Sequence, residues 1–148
     1  AASDVYKRQE QYWEGYFETV RKSLSSGGRA ALQIITIDEQ AFEAYRKKVD
    51  FIQKYIFPGG MLPSLQRLER LAQTAGLEIH ALGLHGLDYA RTLGAWHRAF
   101  DRQWEAVAAL GFDERFRRMW KYYLSYCEAG FRLGRIDLAQ LTLSAARR

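Results

Sequence analysis

At 148 residues, with 48% hydrophobic and 14% aromatic side chains, the chain is long and apolar enough to bury one genuine core, which excludes a disordered or low-complexity segment. The formal charge of +5 favours an anionic partner, phospholipid headgroup or nucleic acid, although a solvated basic surface accounts for it equally well. No apolar run reaches the roughly 18 to 20 residues of a spanning helix, nothing resembles a signal peptide, and the single Cys127 cannot form an internal disulfide, so a soluble, cytoplasmic protein is expected.

Residues Ala1 to Gln9 show no amphipathic period and read as an appended, non-native leader, so the fold reading runs from Glu10 to the end of the chain. Tyr12, Trp13, Tyr16, Phe17, Val20 and Leu24 recur at helical spacing, and Ser25-Ser26-Gly27-Gly28 stops that helix. Ala30 to Ile37 is a nearly continuous apolar run rich in β-branched residues, which predicts a strand covered on both faces in a parallel sheet. Gln33 is its one polar interruption. Asp38 then offers an N-cap for a helix reaching about Lys48.

Asp50 to Ser64, DFIQKYIFPGGMLPS, holds the only two prolines in the chain, Pro58 and Pro63, together with Gly59 and Gly60. Proline fixes φ and glycine permits φ > 0, so this stretch predicts a shaped loop that delivers aromatic side chains to the lining of a pocket. Ser64 caps a helix with Leu65, Leu68, Leu71, Ala72 and Ala75 on one face and Gly76 closing it, and Leu77 to Leu84 reads as the next strand.

From Tyr89, the stripe Leu93, Trp96, Phe100, Trp104 and Val107 predicts one long helix to Gly111. Asp113 opens another, carrying Phe116, Met119, Trp120, Tyr123, Leu124, Cys127 and Phe131 as far as Gly134. Bulky stripes at this spacing are core far more often than cofactor sites, so the two helices are expected to pack as a pair covering the sheet, with Cys127 as packing. Ile136 to Leu143 is the last strand. The order is α/β, with three strands where a doubly wound nucleotide-binding sheet has six or seven. No glycine-rich turn follows the first strand, and His80, His85 and His97 lack metal-ligand spacing, so no metal is expected.

Four of these stretches occur in an order and spacing that resemble the cyclopropane-fatty-acid synthase family, which includes the mycolic acid cyclopropane synthases. They are LQIITI at Leu32 to Ile37, the Asp50 to Ser64 stretch, GLDYARTLGAW at Gly86 to Trp96, and GFDERFRRMWKYYLSYCEAGF at Gly111 to Phe131. The resemblance implies the C-terminal portion of a Rossmann-like class I methyltransferase sheet, with a helical insertion before the last strand. It begins downstream of the family's cofactor motifs, so the S-adenosylmethionine site is largely missing and the chain alone is expected to be inactive. The implied activity adds a methylene across the cis double bond of an unsaturated phospholipid acyl chain at the inner membrane surface, through a carbocation deprotonated by bound bicarbonate. A homodimer is the assembly considered.

By the same resemblance, Tyr89 lies where the family has a bicarbonate-binding tyrosine. Gln33 occupies a position that is histidine in several members, and Ile35 contributes a backbone group. Glutamine can donate an amide hydrogen bond but cannot titrate, so orienting the bicarbonate suits Gln33 better than proton transfer. Phe57 corresponds to an aromatic residue near the acyl-chain tunnel, with Phe51 and Tyr55 sharing that wall. The family's bicarbonate-site glutamate and cysteine belong upstream of Glu10, and Cys127 is not the equivalent cysteine.

Plainer readings stay open beside these. Tyr89 can be the first residue of a core stripe, Gln33 a buried amide satisfying backbone groups, and the Phe57 segment an ordinary turn. For the whole chain, the alternatives are a related lipid methyltransferase that does not close a ring and a noncatalytic lipid-binding or interaction domain. Nucleic-acid binding is disfavoured, because the aromatics sit at core spacing instead of interleaving with Lys and Arg on one face.

Overall fold

The computed structural model describes residues 10–146, so the predicted leader, 1–9, lies outside the described residues. The chain forms two compact units, one made of the residues up to His85 with those from Asp137 onward, the other of Gly86–Ile136.

In the first unit, a 3₁₀ turn at Glu10–Tyr12 leads into α1 (Trp13–Ser23), β1 (Arg29–Ile37), α2 (Glu39–Tyr45), α3 (Phe51–Tyr55), α4 (Leu65–Thr74) and β2 (Leu77–Leu84), and β3 (Ile136–Ala145) completes the sheet. The strand order is β1-β3-β2. β2 and β3 run antiparallel, with Leu77 opposite Ala145 and Leu84 opposite Ala139, and a register shift at His80. The predicted parallel sheet is thereby corrected: an apolar run reports burial and carries no information about the direction of the neighbouring strand. Nor is β1 covered on both faces. Arg29, Ala31 and Gln33 are exposed, while Ala30, Leu32 and Ile34 pack toward the core.

That core gathers Phe17 from α1, Leu68 and Ala72 from α4, Leu77 from β2, and Leu141 and Leu143 from β3. Leu68 and Ala72 are four residues apart and so share one helix face. As its sequence predicts, α4 is opened by Ser64, whose buried hydroxyl accepts from the Arg67 N–H at 3.4 Å. Gly76 ends it at φ +70°, a conformation that side-chain-bearing residues rarely adopt. A second cluster forms around Phe42, which is wholly buried. The Arg67 guanidinium lies 3.9 Å over its ring and pairs with Glu43 at 2.8 Å. An arginine that stacks and pairs at once is held by cation–π attraction and charge together.

The second unit is helical: α5 (Gly86–Arg102), α6 (Trp104–Ala109) and α7 (Glu114–Arg132). The single helix predicted from Tyr89 to Gly111 is interrupted at Gln103, where φ −100° and ψ 12° leave the α region. Beside the break, Trp104 packs on Phe100 with ring centroids 5.7 Å apart and receives the Arg117 guanidinium at 5.0 Å. Ring packing here replaces helix continuity. α5 and α7 bury Ala90, Leu93, Gly94, Leu124 and Phe131. A Cβ at Gly94 would stand 3.2 Å from a Glu128 carboxylate oxygen, so the missing side chain permits the close approach. Asp113 caps α7 by accepting from the Phe116 N–H at 2.8 Å.

Asp101, near the end of α5, meets the Lys121 ammonium at 2.9 Å, Arg117 at 3.6 Å and His97 at 3.8 Å. The hydrogen bond from Lys121, with the surrounding positive charge, holds its carboxyl below the ordinary value of 3.8. A lowered pKa means that this contribution to stability is present above pH 3.8 and is lost as pH falls through the folded-state value. In a carboxyl-carbon NMR titration the Asp101 midpoint is expected below 3.8 and should rise in Lys121→Met. Leu143→Ala, in the sheet core, is expected to cost about 2–5 kcal/mol, read as a lower urea midpoint at unchanged slope. The exposed Leu133→Ala should stay within about 0.5 kcal/mol.

Candidate functional site

Asp50 and Gln53 make a reciprocal cap. The Asp50 carboxylate accepts from the Gln53 N–H at 2.8 Å, and the Gln53 side-chain oxygen accepts from the Asp50 N–H at 3.1 Å. This capping box nucleates the short α3, so the predicted loop begins instead as a helical turn. Phe51 and Tyr55, four apart, therefore share a face, with ring centroids 5.4 Å apart. The Lys54 ammonium lies 5.2 Å from the centroid of the Tyr55 ring.

The chain then reverses at Phe57-Pro58-Gly59-Gly60. Proline stands second and Gly59 third, at φ +75°, while the Gly60 N–H donates to the Phe57 carbonyl at 2.8 Å. These are the marks of a type II turn. Gly60 is constrained as well, since a Cβ there would stand 2.9 Å from the Phe57 oxygen. Three ties hold the segment in place. Gln53 Nε2 donates to the Gly60 carbonyl at 2.9 Å, the Leu62 N–H donates to the Tyr45 hydroxyl at 3.2 Å, and the Ile37 N–H donates to the Pro63 carbonyl at 3.0 Å. The last fastens the segment to the end of β1. Phe51 and Phe57 are half-buried and Tyr55 is exposed.

Gln33 is exposed on β1, and its side-chain oxygen accepts from Gln140 Nε2 on β3 at 2.9 Å. The reading of a buried amide serving backbone groups is thereby corrected. With the oxygen committed to Gln140, the Gln33 amide nitrogen is the group left to donate. Ile35, two residues on, follows Gln33 on the same strand face and is half-buried.

Tyr89 belongs to the helical unit, in the first turns of α5, and is half-buried. Its ring meets Phe131 edge-on at 5.1 Å and Trp96 at 6.0 Å, so it does begin an aromatic stripe. Its hydroxyl makes no hydrogen bond among the described residues, so what holds Tyr89 is the packing of its ring. The other five predicted residues lie in the sheet unit. There Phe51 and Tyr55 touch, and the Phe57 N–H donates to the Ile52 carbonyl at 2.8 Å, which ties Phe57 to α3. Sequence reasoning missed Gln140, Gln53 and Tyr45. The Asp50-x-x-Gln53 spacing could have announced the cap, whereas nothing local announces Gln140, 107 positions from Gln33.

The family model for mycolic acid cyclopropane synthetase matches residues 6–141. The tuberculostearic acid methyltransferase UfaA1 of Mycobacterium tuberculosis is 43% identical over 132 residues, 88% of this chain and 31% of that protein. The cyclopropane-fatty-acyl-phospholipid synthase of Escherichia coli K12 is 34% identical over 139 residues, 89% of this chain and 33% of that protein. Among solved structures, the mycolic acid cyclopropane synthase CmaA1 in complex with SAH and CTAB superposes with a TM-score of 0.82 at 26% identity, over 91% of this chain and 50% of that one. The chain thus spans about a third of these two relatives and half of the solved enzyme. Its fold corresponds to the C-terminal half of the class I methyltransferase fold. On the family match over residues 6–141, the chain belongs to the mycolic acid cyclopropane synthetase family.

Proposed function

We propose that the chain supplies the acyl-chain and anion-handling part of an S-adenosylmethionine-dependent methyltransferase that modifies the cis double bond of an unsaturated phospholipid acyl chain. The observation that carries this reading is the superposition on the SAH-bound CmaA1 over 91% of the chain. S-adenosylmethionine would supply the transferred carbon as a sulfonium methyl, and bicarbonate the base.

Donor chemistry decides whether the residues suit a small anion. Tyr89 offers an uncommitted hydroxyl and Gln33 an amide nitrogen whose partner oxygen is already held by Gln140, so each taken by itself has a hydrogen to donate to an anion. Neither carries a charge that would have to be neutralised, and fixed donors orient an anionic base without competing for the proton it removes. Gln33 therefore orients and does not titrate. Phe51, Tyr55 and Phe57 contribute apolar surface that excludes water from an alkyl chain, and their ring faces favour positive charge developing on the substrate carbons.

The 43% identity to an enzyme named for methyl transfer, beside 34% to one named for cyclopropane synthesis, favours keeping a second outcome: methylation without ring closure. Both products add one CH₂, so mass alone cannot separate them. The full product of the gene, given methyl-labelled S-adenosylmethionine and cis-unsaturated phospholipid, is expected to label the lipid. High-field cyclopropane protons in its NMR spectrum would mark the ring, olefinic methylene protons the branch, and an unlabelled lipid would overturn the proposal.

Two substitutions divide the roles. Tyr89→Phe keeps the packed ring and removes one donor, so turnover should fall about 10- to 100-fold while thermal stability stays within about 1 kcal/mol. Normal turnover in that variant would remove Tyr89 from the anion site. Phe57→Ala should raise KM for the lipid severalfold and leave KM for S-adenosylmethionine unchanged, and equal effects on both would argue against an acyl-chain wall.

A further inference from the structure

The helical unit ends in an apolar tip whose base is packed, Trp104 on Phe100 and Phe112 on Phe116, and whose outer residues are exposed. Between α5 and α7 the sequence runs Trp-Glu-Ala-Val-Ala-Ala-Leu-Gly-Phe from Trp104 to Phe112, with Glu105 its only charge. Ala106, Ala108, Ala109, Leu110 and Phe112 are all exposed, Leu110 at 78% and Phe112 at 44%. Within the six-residue α6, Trp104 and Val107 are half-buried and the three alanines exposed, so the large apolar groups turned to water are Leu110 and Phe112, just beyond it.

The charge around the tip is one-sided. Arg98 and Arg102 lie four apart in the last turns of α5, and Arg115 and Arg118 three apart in the first turns of α7, so each pair shares a helix face. All four are exposed, and none has an ion-pair partner among the described residues. The neighbouring acids are engaged elsewhere. Asp101 holds Lys121 and Arg117, Glu114 holds Arg117, and Asp113 caps α7. Because a capping carboxylate keeps its charge, Glu105 and Asp113 are the two acids left against four arginines.

We propose that Trp104–Phe112 is a bilayer-docking tip, whose apolar residues enter the headgroup boundary of an anionic phospholipid membrane while Arg98, Arg102, Arg115 and Arg118 hold the phosphates. No helix among the described residues is long and apolar enough to cross a membrane, so this is attachment to one face only. The charge complementarity selects the occupant: a protein groove would have to supply four acids in register, whereas an anionic lipid surface supplies phosphate at every headgroup. The proposal deepens the lipid reading above and rests on it for what the docked protein acts upon, while docking itself is measured without cofactor or turnover.

The test is co-sedimentation of the chain with sonicated vesicles of phosphatidylglycerol and phosphatidylcholine, against phosphatidylcholine alone. Binding is expected only to the anionic vesicles and should weaken at high salt. Arg115→Gln with Arg118→Gln should lower the partition coefficient about 25-fold, at about fivefold per arginine. Leu110→Asp with Phe112→Asp should lower it about tenfold or more, with unchanged circular dichroism, and Leu110→Ser serves where the double variant fails to fold. Absence of wild-type binding, or equal binding by wild type and tip variants, overturns the proposal. So does concentration-dependent self-association that the tip variants abolish without altering vesicle binding, which would make the tip a contact between copies of the chain. If vesicle binding behaves as expected but the full gene product labels no lipid, docking stands and the methyl-transfer reading falls.

Discussion

The sheet unit depends on β3. Lying between β1 and β2, it is the strand through which the two are joined. Its alternate residues do different work. Leu141 and Leu143 enter the core beside Phe17, Leu68 and Leu77, while Gln140 stands exposed on the other face and fixes the Gln33 amide. Because side chains alternate with period two, a one-residue slip would turn the leucines outward and Gln140 inward. Burial of the leucines thus sets the register that brings Gln140 to Gln33, and stability and polar geometry are not separable at this strand.

A different economy governs the aromatic segment. Its shape comes from short-range rules: a reciprocal Asp50–Gln53 cap, a Pro58-Gly59 turn, and a Gly60 that has no room for a Cβ. One long-range bond, from Ile37 to Pro63, then fixes the preformed piece to the sheet. Each local tie lowers the conformational freedom of the next, so Phe57 is held with few contacts of its own.

This division explains what could be read from the chain. Asp38, Ser64 and Asp113 as caps, Gly76 as a helix stop, and the three strands all follow from residues within a turn of one another, and all are present. The α3 turn escaped because the downstream prolines dominated the reading of Asp50 to Ser64. The antiparallel direction escaped because Leu77 and Ala145 meet only in three dimensions, and the break at Gln103 because helical spacing persists across it. At the candidate site, the motifs named Tyr89 and Gln33, and helical spacing already placed Tyr89 at the head of an aromatic stripe, which its packing on Trp96 and Phe131 matches. The Gln140 partner was out of reach because it lies 107 positions from Gln33.

The place of β3 also imposes an order of events on synthesis. The strands it joins both precede it, and neither is the other's neighbour in the finished sheet. As the chain leaves the ribosome, β1 and β2 must wait with unpaired edges while the helical residues between β2 and β3 emerge. Those residues form three helices, whose backbone hydrogen bonds are local and form early. A growing chain therefore carries a structured helical portion on an unclosed pair of strands, the state most exposed to edge pairing between neighbouring chains and to capture by chaperones.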